Sequence, residues 1–67
     1  MNKYYKWINP KQEMILIHVI GFDQEKNIGT ADYFKNLKLH AQHQKFVPKE
    51  DDVEITEKEF NRLMNWD

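Results

Sequence analysis

The longest apolar run in the chain, residues 14–22, places the tightest limit on its fold. As a strand it would turn Leu16 to one side and Ile15 and Ile17 to the other, because successive side chains of a strand point to opposite faces. Both faces are then largely apolar, and such a strand is stable only where both are covered. The sequence therefore predicts a sheet with residues 14–22 at its centre.

The segments around this run have the composition of a hairpin. Residues 3–8 are rich in aromatic and β-branched types, which favour strands, and residues 9–12 contain a proline, which favours a turn. We expect residues 3–8 to pair with residues 14–22. The polar connection at residues 23–29 includes two residues suited to positive φ, Asn27 and Gly29.

Residues 30–46 fit two structures. A helix would be capped by Thr30 and would carry an apolar stripe at helical spacing, formed by Tyr33, Phe34, Leu37 and Ala41. A strand is indicated by the alternation of Leu37, Leu39 and Ala41 with polar residues. The alanine, leucine, lysine and glutamine content favours the helix.

Near the C-terminus, several signals agree on the start of a helix. Thr56 and Glu59 have the spacing of a capping box, and Ile55 and Phe60 have that of a hydrophobic staple. We expect a helix over residues 57–65 whose inward stripe is Phe60, Leu63 and Met64. The predicted fold class is α+β: one small domain over residues 1–67, with an antiparallel hairpin, a middle helix or additional strands, and a C-terminal helix packed on the sheet.

The size of the chain, 67 residues, limits its core. A domain this short buries only about 60% of the surface that its unfolded chain exposes. The absence of cysteine excludes disulfides and thiolate metal sites. Association with a second copy of the chain, or with a partner, would supply what a thin core lacks. No segment has the length of a membrane span, and residues 3–10 do not resemble a signal peptide, so we expect no membrane partner and a cytoplasmic location.

Catalytic chemistry is not expected. The chain has no serine or cysteine, its two glycines form no phosphate-binding loop, and His18 lies on an apolar strand where a structural role is usual. His40 and His43 have the spacing of metal ligands but no third ligand beside them. The sequence predicts a non-enzymatic protein without a metal or cofactor.

The charges of the chain are unevenly distributed. Residues 1–45 hold seven lysines against four carboxylates, a net charge of +3, whereas residues 46–67 have a net charge of −4. Negative charge favours a helix N-terminus, but a carboxylate array also favours docking on a basic surface. We expect a protein-binding module whose partner is a basic or nucleic-acid-binding host protein, contacted through Glu50, Asp51, Asp52, Glu54 and Glu57.

An alternative function uses the first strand, in which lysines are interleaved with aromatic residues. Single-stranded nucleic acids bind where aromatic rings stack bases and lysines hold phosphates. The candidate nucleic-acid contacts are Lys3, Tyr4, Lys6 and Trp7. The overall charge of −1 does not show the basic excess that is common in such proteins.

The chain also resembles a class of small proteins in its composition and in the sequences at its two ends. Its composition is rich in lysine, asparagine, isoleucine, tyrosine and phenylalanine, it opens Met-Asn-Lys-Tyr-Tyr-Lys-Trp, and it closes on Val-Glu-Ile-Thr-Glu-Lys-Glu-Phe-Asn-Arg-Leu-Met. In these respects it is similar to the small proteins of bacteriophages and mobile elements from low-GC bacteria. The resemblance implies a small inhibitor of a host or defence protein.

Overall fold

A five-stranded antiparallel sheet with one short helix makes up the computed structural model, which describes residues 2–66. In chain order the elements are β1 (Lys3–Ile8), β2 (Met14–Asp23), β3 (Ile28–Lys35), β4 (Lys38–Phe46), β5 (Val53–Ile55) and α1 (Glu57–Leu63). The strands lie side by side in the order β4-β3-β2-β1-β5. The α+β prediction is met in its coarse form, with strands predominating.

β2 is the central strand, as predicted. It pairs with β1 from Lys3↔Val19 to Ile8↔Met14, which confirms the hairpin, and it pairs with β3 on its other side. Ile17 lies on one face and Leu16 on the other, and both are buried. β2 therefore buries apolar side chains on both of its faces.

One face of the sheet, which we call the connection face, is crossed by residues 47–52. This crossing is required because β4 and β5 lie at opposite edges. The indole N–H of Trp7 donates to Asp51 Oδ2 (2.8 Å), and Lys49 Nζ lies 3.6 Å from the centroid of the Trp7 ring. Beneath the crossing lies a core of Ile15, Ile17, Val19, Ala31 and Phe46.

The other face, which we call the helix face, is partly covered by α1. The predicted helix start is confirmed: Thr56 Oγ1 accepts from the Glu59 amide (3.0 Å), and Ile55 and Phe60 are buried in one cluster with Leu16 and Met64. The Glu59 carboxylate lies 3.6 Å from Lys6 Nζ. The core of this face is therefore built around the capped helix.

α1 ends at Leu63, two residues before the predicted end. Asn65 has a φ of 63°, and the Trp66 amide donates to the Asn61 carbonyl (2.9 Å), while the Asn65 amide donates to the Arg62 carbonyl (3.1 Å). This pair of bonds is a Schellman motif, in which a left-handed residue satisfies the last carbonyls. The motif turns the Trp66 ring back onto Phe60, with 5.7 Å between the ring centroids.

The helix predicted for residues 30–46 is wrong, and the strand alternative is correct. These residues form most of β3 and all of β4, joined by a two-residue turn in which Asn36 and Leu37 have φ values of 54° and 63°. Tyr33 packs on the connection face and Phe34 on the helix face, so they do not share a stripe. Helix propensity is outweighed because both sides of β3 bury apolar surface against β2 and its neighbours.

The expectation of positive φ holds for Asn27 (54°) but not for Gly29, which lies in β3. Gly29 is required for a different reason. A Cβ atom at this position would lie 2.6 Å from the Gly21 carbonyl oxygen and 2.8 Å from Phe22 Cδ1. The close approach of two strands beside a register shift in β2 leaves no room for a side chain.

Candidate functional site

The five acidic residues that were predicted to contact a partner have different surroundings in the structure. Asp51 binds the indole of Trp7. Asp52 Oδ2 accepts from the Lys49 amide (3.0 Å), and its side chain is only 1% exposed. These two carboxylates therefore hold the crossing connection in place.

The other three acidic residues lie around β5. Glu57 Oε2 accepts from the hydroxyl of Tyr4 (3.2 Å) on the helix face. Burial, followed by this hydrogen bond and the charge of Glu57, raises the pKa of Tyr4. Glu50 and Glu54 are exposed and form no ion pair within residues 2–66. Of the five predicted contacts, these two keep free carboxylates in the described part of the chain.

The predicted nucleic-acid contacts also separate onto two faces. Tyr4 lies between His18 and Phe60, with ring-centroid distances of 4.6 and 4.9 Å, and Lys6 is paired with Glu59. Trp7 projects from the connection face, because it pairs directly with Ile15. Lys3 lies on the same face as Trp7 by strand alternation. The four side chains do not form one stacking platform.

The three histidines have separate surroundings. His18 stacks parallel to Tyr4, with its Nε2 3.2 Å from Asn2 Oδ1. His40 and His43 lie in β4, where helical spacing does not apply, and the His43 amide donates to Asp32 Oδ1 (2.9 Å). Residues 2–66 contain no cluster of three or more histidine, aspartate or glutamate side chains arranged to hold a metal.

Comparisons with protein-family models, curated proteins and solved structures find no match. Candidate sites therefore have to be argued from the geometry. Within residues 2–66 no helix has the length and hydropathy to cross a membrane.

The most prominent unassigned surface is a strip of exposed apolar residues on the helix face. Five large side chains there are between 38% and 60% exposed, which is high for their type. We call this strip the apolar band, and its members are Ile8, Met14, Leu39, Val53 and Trp66.

The strand register shows that the band crosses the whole sheet. Ile8 and Met14 are directly paired across β1 and β2. Leu39 pairs with Phe34 across β3 and β4, and the Trp66 ring lies 5.9 Å from the Phe34 ring. Val53 pairs with Lys6, the neighbour of Ile8 on the same face of β1. Exposed apolar side chains that are grouped on one face mark an interaction site more often than those that are scattered singly.

The band is exposed because α1 is short. The helix has only 7 residues. At the usual rise per residue it is about 10 Å long, whereas a sheet of five strands, spaced about 4.8 Å apart, is about 19 Å across. The sequence reasoning missed the band because it assigned a second helix to residues 30–46. The alternation of Leu37, Leu39 and Ala41 could not have located it, because a register shift places Leu39 opposite Phe34 on the helix face and Ala41 opposite Tyr33 on the connection face.

Leu37 is a second unusual apolar residue at this end of the sheet. It is 55% exposed and has a φ of 63°. For a residue with a Cβ atom, this left-handed conformation costs roughly 1–2 kcal/mol. Leu37 lies two residues before Leu39 of the band, and its exposure and its left-handed backbone are both unfavourable for a leucine. Such outliers are concentrated at functional sites.

Proposed function

We propose that this chain is a non-enzymatic protein-binding module that docks a partner protein on the apolar band. The observation that carries the proposal is the number of exposed apolar side chains on one face of the sheet, from Val53 on one edge strand to Leu39 on the other. Burial of one such side chain contributes about 1.5–3 kcal/mol. The band side chains are already partly buried, so each can contribute only part of this, and the complex depends on several of them together.

Trp66 is the strongest candidate anchor within the band. Its ring is 60% exposed, yet it is fixed by edge-on contacts with Phe34 and Phe60 and by the Schellman motif at the end of α1. A side chain that is already ordered loses little entropy on binding. Tryptophan is also among the residues that most often dominate interface energetics.

The free carboxylates at this edge of the sheet favour a basic partner. Glu50 and Glu54 are exposed and lie near Val53 in the sequence. Glu54 pairs with Tyr5, so its side chain points away from the apolar band and its charge acts from the edge of the sheet. Opposite charges at the rim of an interface accelerate association more than they strengthen it. A partner with a basic surface would therefore fit this edge. We propose that the chain is a small inhibitor from a phage or mobile element, and that its target is a basic or nucleic-acid-binding host protein.

The edges of the sheet are poor docking sites, which favours the face. β5 has only three residues. β4 is interrupted by two register shifts, carries a positive φ of 53° at His43, and has lysines at both ends. Bulges, short strands and lysines are features that prevent a further strand from pairing.

A comparative capture experiment tests the proposal. Immobilised wild-type chain and the variants Met14→Glu, Leu39→Glu and Val47→Glu are exposed to lysate of a low-GC bacterium, after circular dichroism has shown that each is folded. Val47 is the matched control, because it is 46% exposed but lies in the crossing connection. Any retained protein is then purified and titrated against each variant.

We expect a partner that binds the wild type and Val47→Glu about tenfold or more tightly than the two band variants. Glu50→Lys combined with Glu54→Lys should slow association, most strongly at low salt. If all variants bind the partner equally, or if Val47→Glu weakens binding as much as the band variants do, the apolar band is not the docking site. Concentration-dependent dimers of the wild type, abolished by Leu39→Glu, would instead identify a second copy as the occupant.

A further inference from the structure

A groove on the connection face, opposite the apolar band, has a volume of about 440 Å³. Its floor is the buried Ile15 and its walls include Trp7 and Tyr33. It lies beside the turn that joins β1 to β2, and its remaining lining is Asn9, Pro10, Lys11, Glu13, Lys35 and His40. The volume is within the range of sites for small molecules, roughly 300–1,000 Å³.

The aromatic walls are held in place by bonds to other parts of the chain. The Trp7 indole is fixed by Asp51 and by Lys49, as described above. The Tyr33 hydroxyl donates to the Lys45 carbonyl (3.3 Å). Both rings are therefore ordered before any ligand arrives, which lowers the entropic cost of binding.

The rim is equally well ordered. Asn9 Oδ1 accepts from the amides of Lys11 (3.0 Å) and Glu13 (2.9 Å), and Asn9 Nδ2 donates to Glu13 Oε1 (3.1 Å). Glu13 Oε2 in turn lies 3.1 Å from Lys35 Nζ, which joins the turn to β3. The Asn9 hydrogen bond, and then Lys35, lower the pKa of Glu13.

The charges of the rim are unequal. Glu13 is matched by Lys35. Lys11 has no carboxylate within ion-pairing distance in the described part of the chain, and His40 adds a second polar group. The groove thus combines aromatic walls with an excess of basic groups.

We propose that this groove binds a small apolar carboxylate, with its ring or hydrocarbon between Trp7 and Tyr33 and its carboxylate beside Lys11. The site is independent of the proposed docking on the apolar band. A small molecule fits better than an extended peptide, because the groove lies on a face of the sheet, where no strand edge is open to a peptide backbone, and its volume of about 440 Å³ suits a compact ligand.

The test uses the full chain labelled with ¹⁵N, in which the two indole N–H signals report on opposite faces. Trp7 lines the groove, whereas Trp66 lies on the helix face. The probes are indole-3-acetate and tryptamine, which share a ring and carry opposite charges. We expect indole-3-acetate to shift the Trp7 signal saturably at millimolar concentration and tryptamine to shift it clearly less at the same concentrations.

Lys11→Gln should weaken binding of indole-3-acetate by about 2–5-fold, as for an exposed charge pair. The matched control is Lys26→Gln, at the opposite end of the sheet, which should have no effect. Leu39→Glu should also bind normally, so that failure of the apolar band and failure of the groove are distinguishable.

Three results would overturn the proposal. One is no shift of Trp7, or equal shifts with both probes. Another is a Trp66 shift as large as that of Trp7. The third is tighter binding of N-acetyl-Glu-Trp-Glu-amide than of indole-3-acetate at Trp7, which would assign the groove to a peptide.

Discussion

The strained turn at Leu37 leads to a prediction about stability that runs against the usual ranking of residues. At an ordinary strand position, glycine is less stable than alanine by about 0.5–1 kcal/mol, because it loses more backbone freedom on folding. At a φ of 63° the order should reverse. A Cβ atom there costs roughly 1–2 kcal/mol, and glycine avoids that cost.

Comparison of Leu37→Gly with Leu37→Ala isolates the backbone contribution. Both variants lose the leucine side chain, so the free energy lost with its partial burial is nearly the same in both and cancels in the comparison. Subtracting the entropic cost of glycine from the relieved strain leaves Leu37→Gly more stable by about 0.5–1 kcal/mol. At about 4–8 °C per kcal/mol for a domain of this size, its melting temperature should be about 2–8 °C higher.

Thermal unfolding followed by circular dichroism, with urea titration as a second measurement, checks this difference. Lys38→Gly and Lys38→Ala form the control pair, because Lys38 is an exposed residue of β4 without a positive φ. There the alanine variant should be the more stable one. If alanine is also the better residue at position 37, the two-residue turn and its strain are refuted.

Three further predictions concern the core, the cap and the turn. Thr56→Ala removes the acceptor of the helix cap and should cost about 1 kcal/mol, which is a fall of about 4–8 °C in melting temperature. Gly29→Ala should cost about 1–3 kcal/mol in urea unfolding, because the new Cβ meets the Gly21 carbonyl, which cannot rotate away. Glu13 has a lowered pKa in the folded chain, so it contributes stability above its ordinary pKa that is lost as the pH falls through the folded value. Glu13→Gln should therefore lose less stability than the wild type as the pH falls from above the ordinary carboxyl pKa through the lowered folded value. An identical acid profile would show that the Asn9 hydrogen bond does not stabilise the Glu13 carboxylate.

Patterns among residues that are close together in the sequence were sufficient to predict the first two strands and the start of the helix. The hairpin of β1 and β2 followed from composition and a proline turn, and the start of α1 from its capping box and staple. The central position of β2 followed from its two apolar faces. Each of these features is local in the chain or belongs to one strand.

The features that sequence reasoning missed depend on distant partners. β3 and β4 overcome their helical propensity only because β2 provides apolar surface on both faces, and their turn lacks the glycine that would have marked it. The groove was not predicted, since Trp7, Glu13 and Lys35 meet only through the register of three strands. The apolar band appears only once the length of α1 is compared with the width of the sheet.

The crossing connection has a consequence for the order of folding. The first four strands form by successive hairpins, whose contacts are close in sequence and form quickly. β5 instead pairs with β1, at separations such as that between Tyr4 and Ile55, and only after the chain has passed over the connection face. The segment after residue 46 supplies cover to both faces, so the crossing connection, β5 and α1 must all be synthesised before both faces are protected. Until then the four-stranded sheet exposes its apolar surfaces to other nascent chains, and this period is when aggregation competes most strongly with folding.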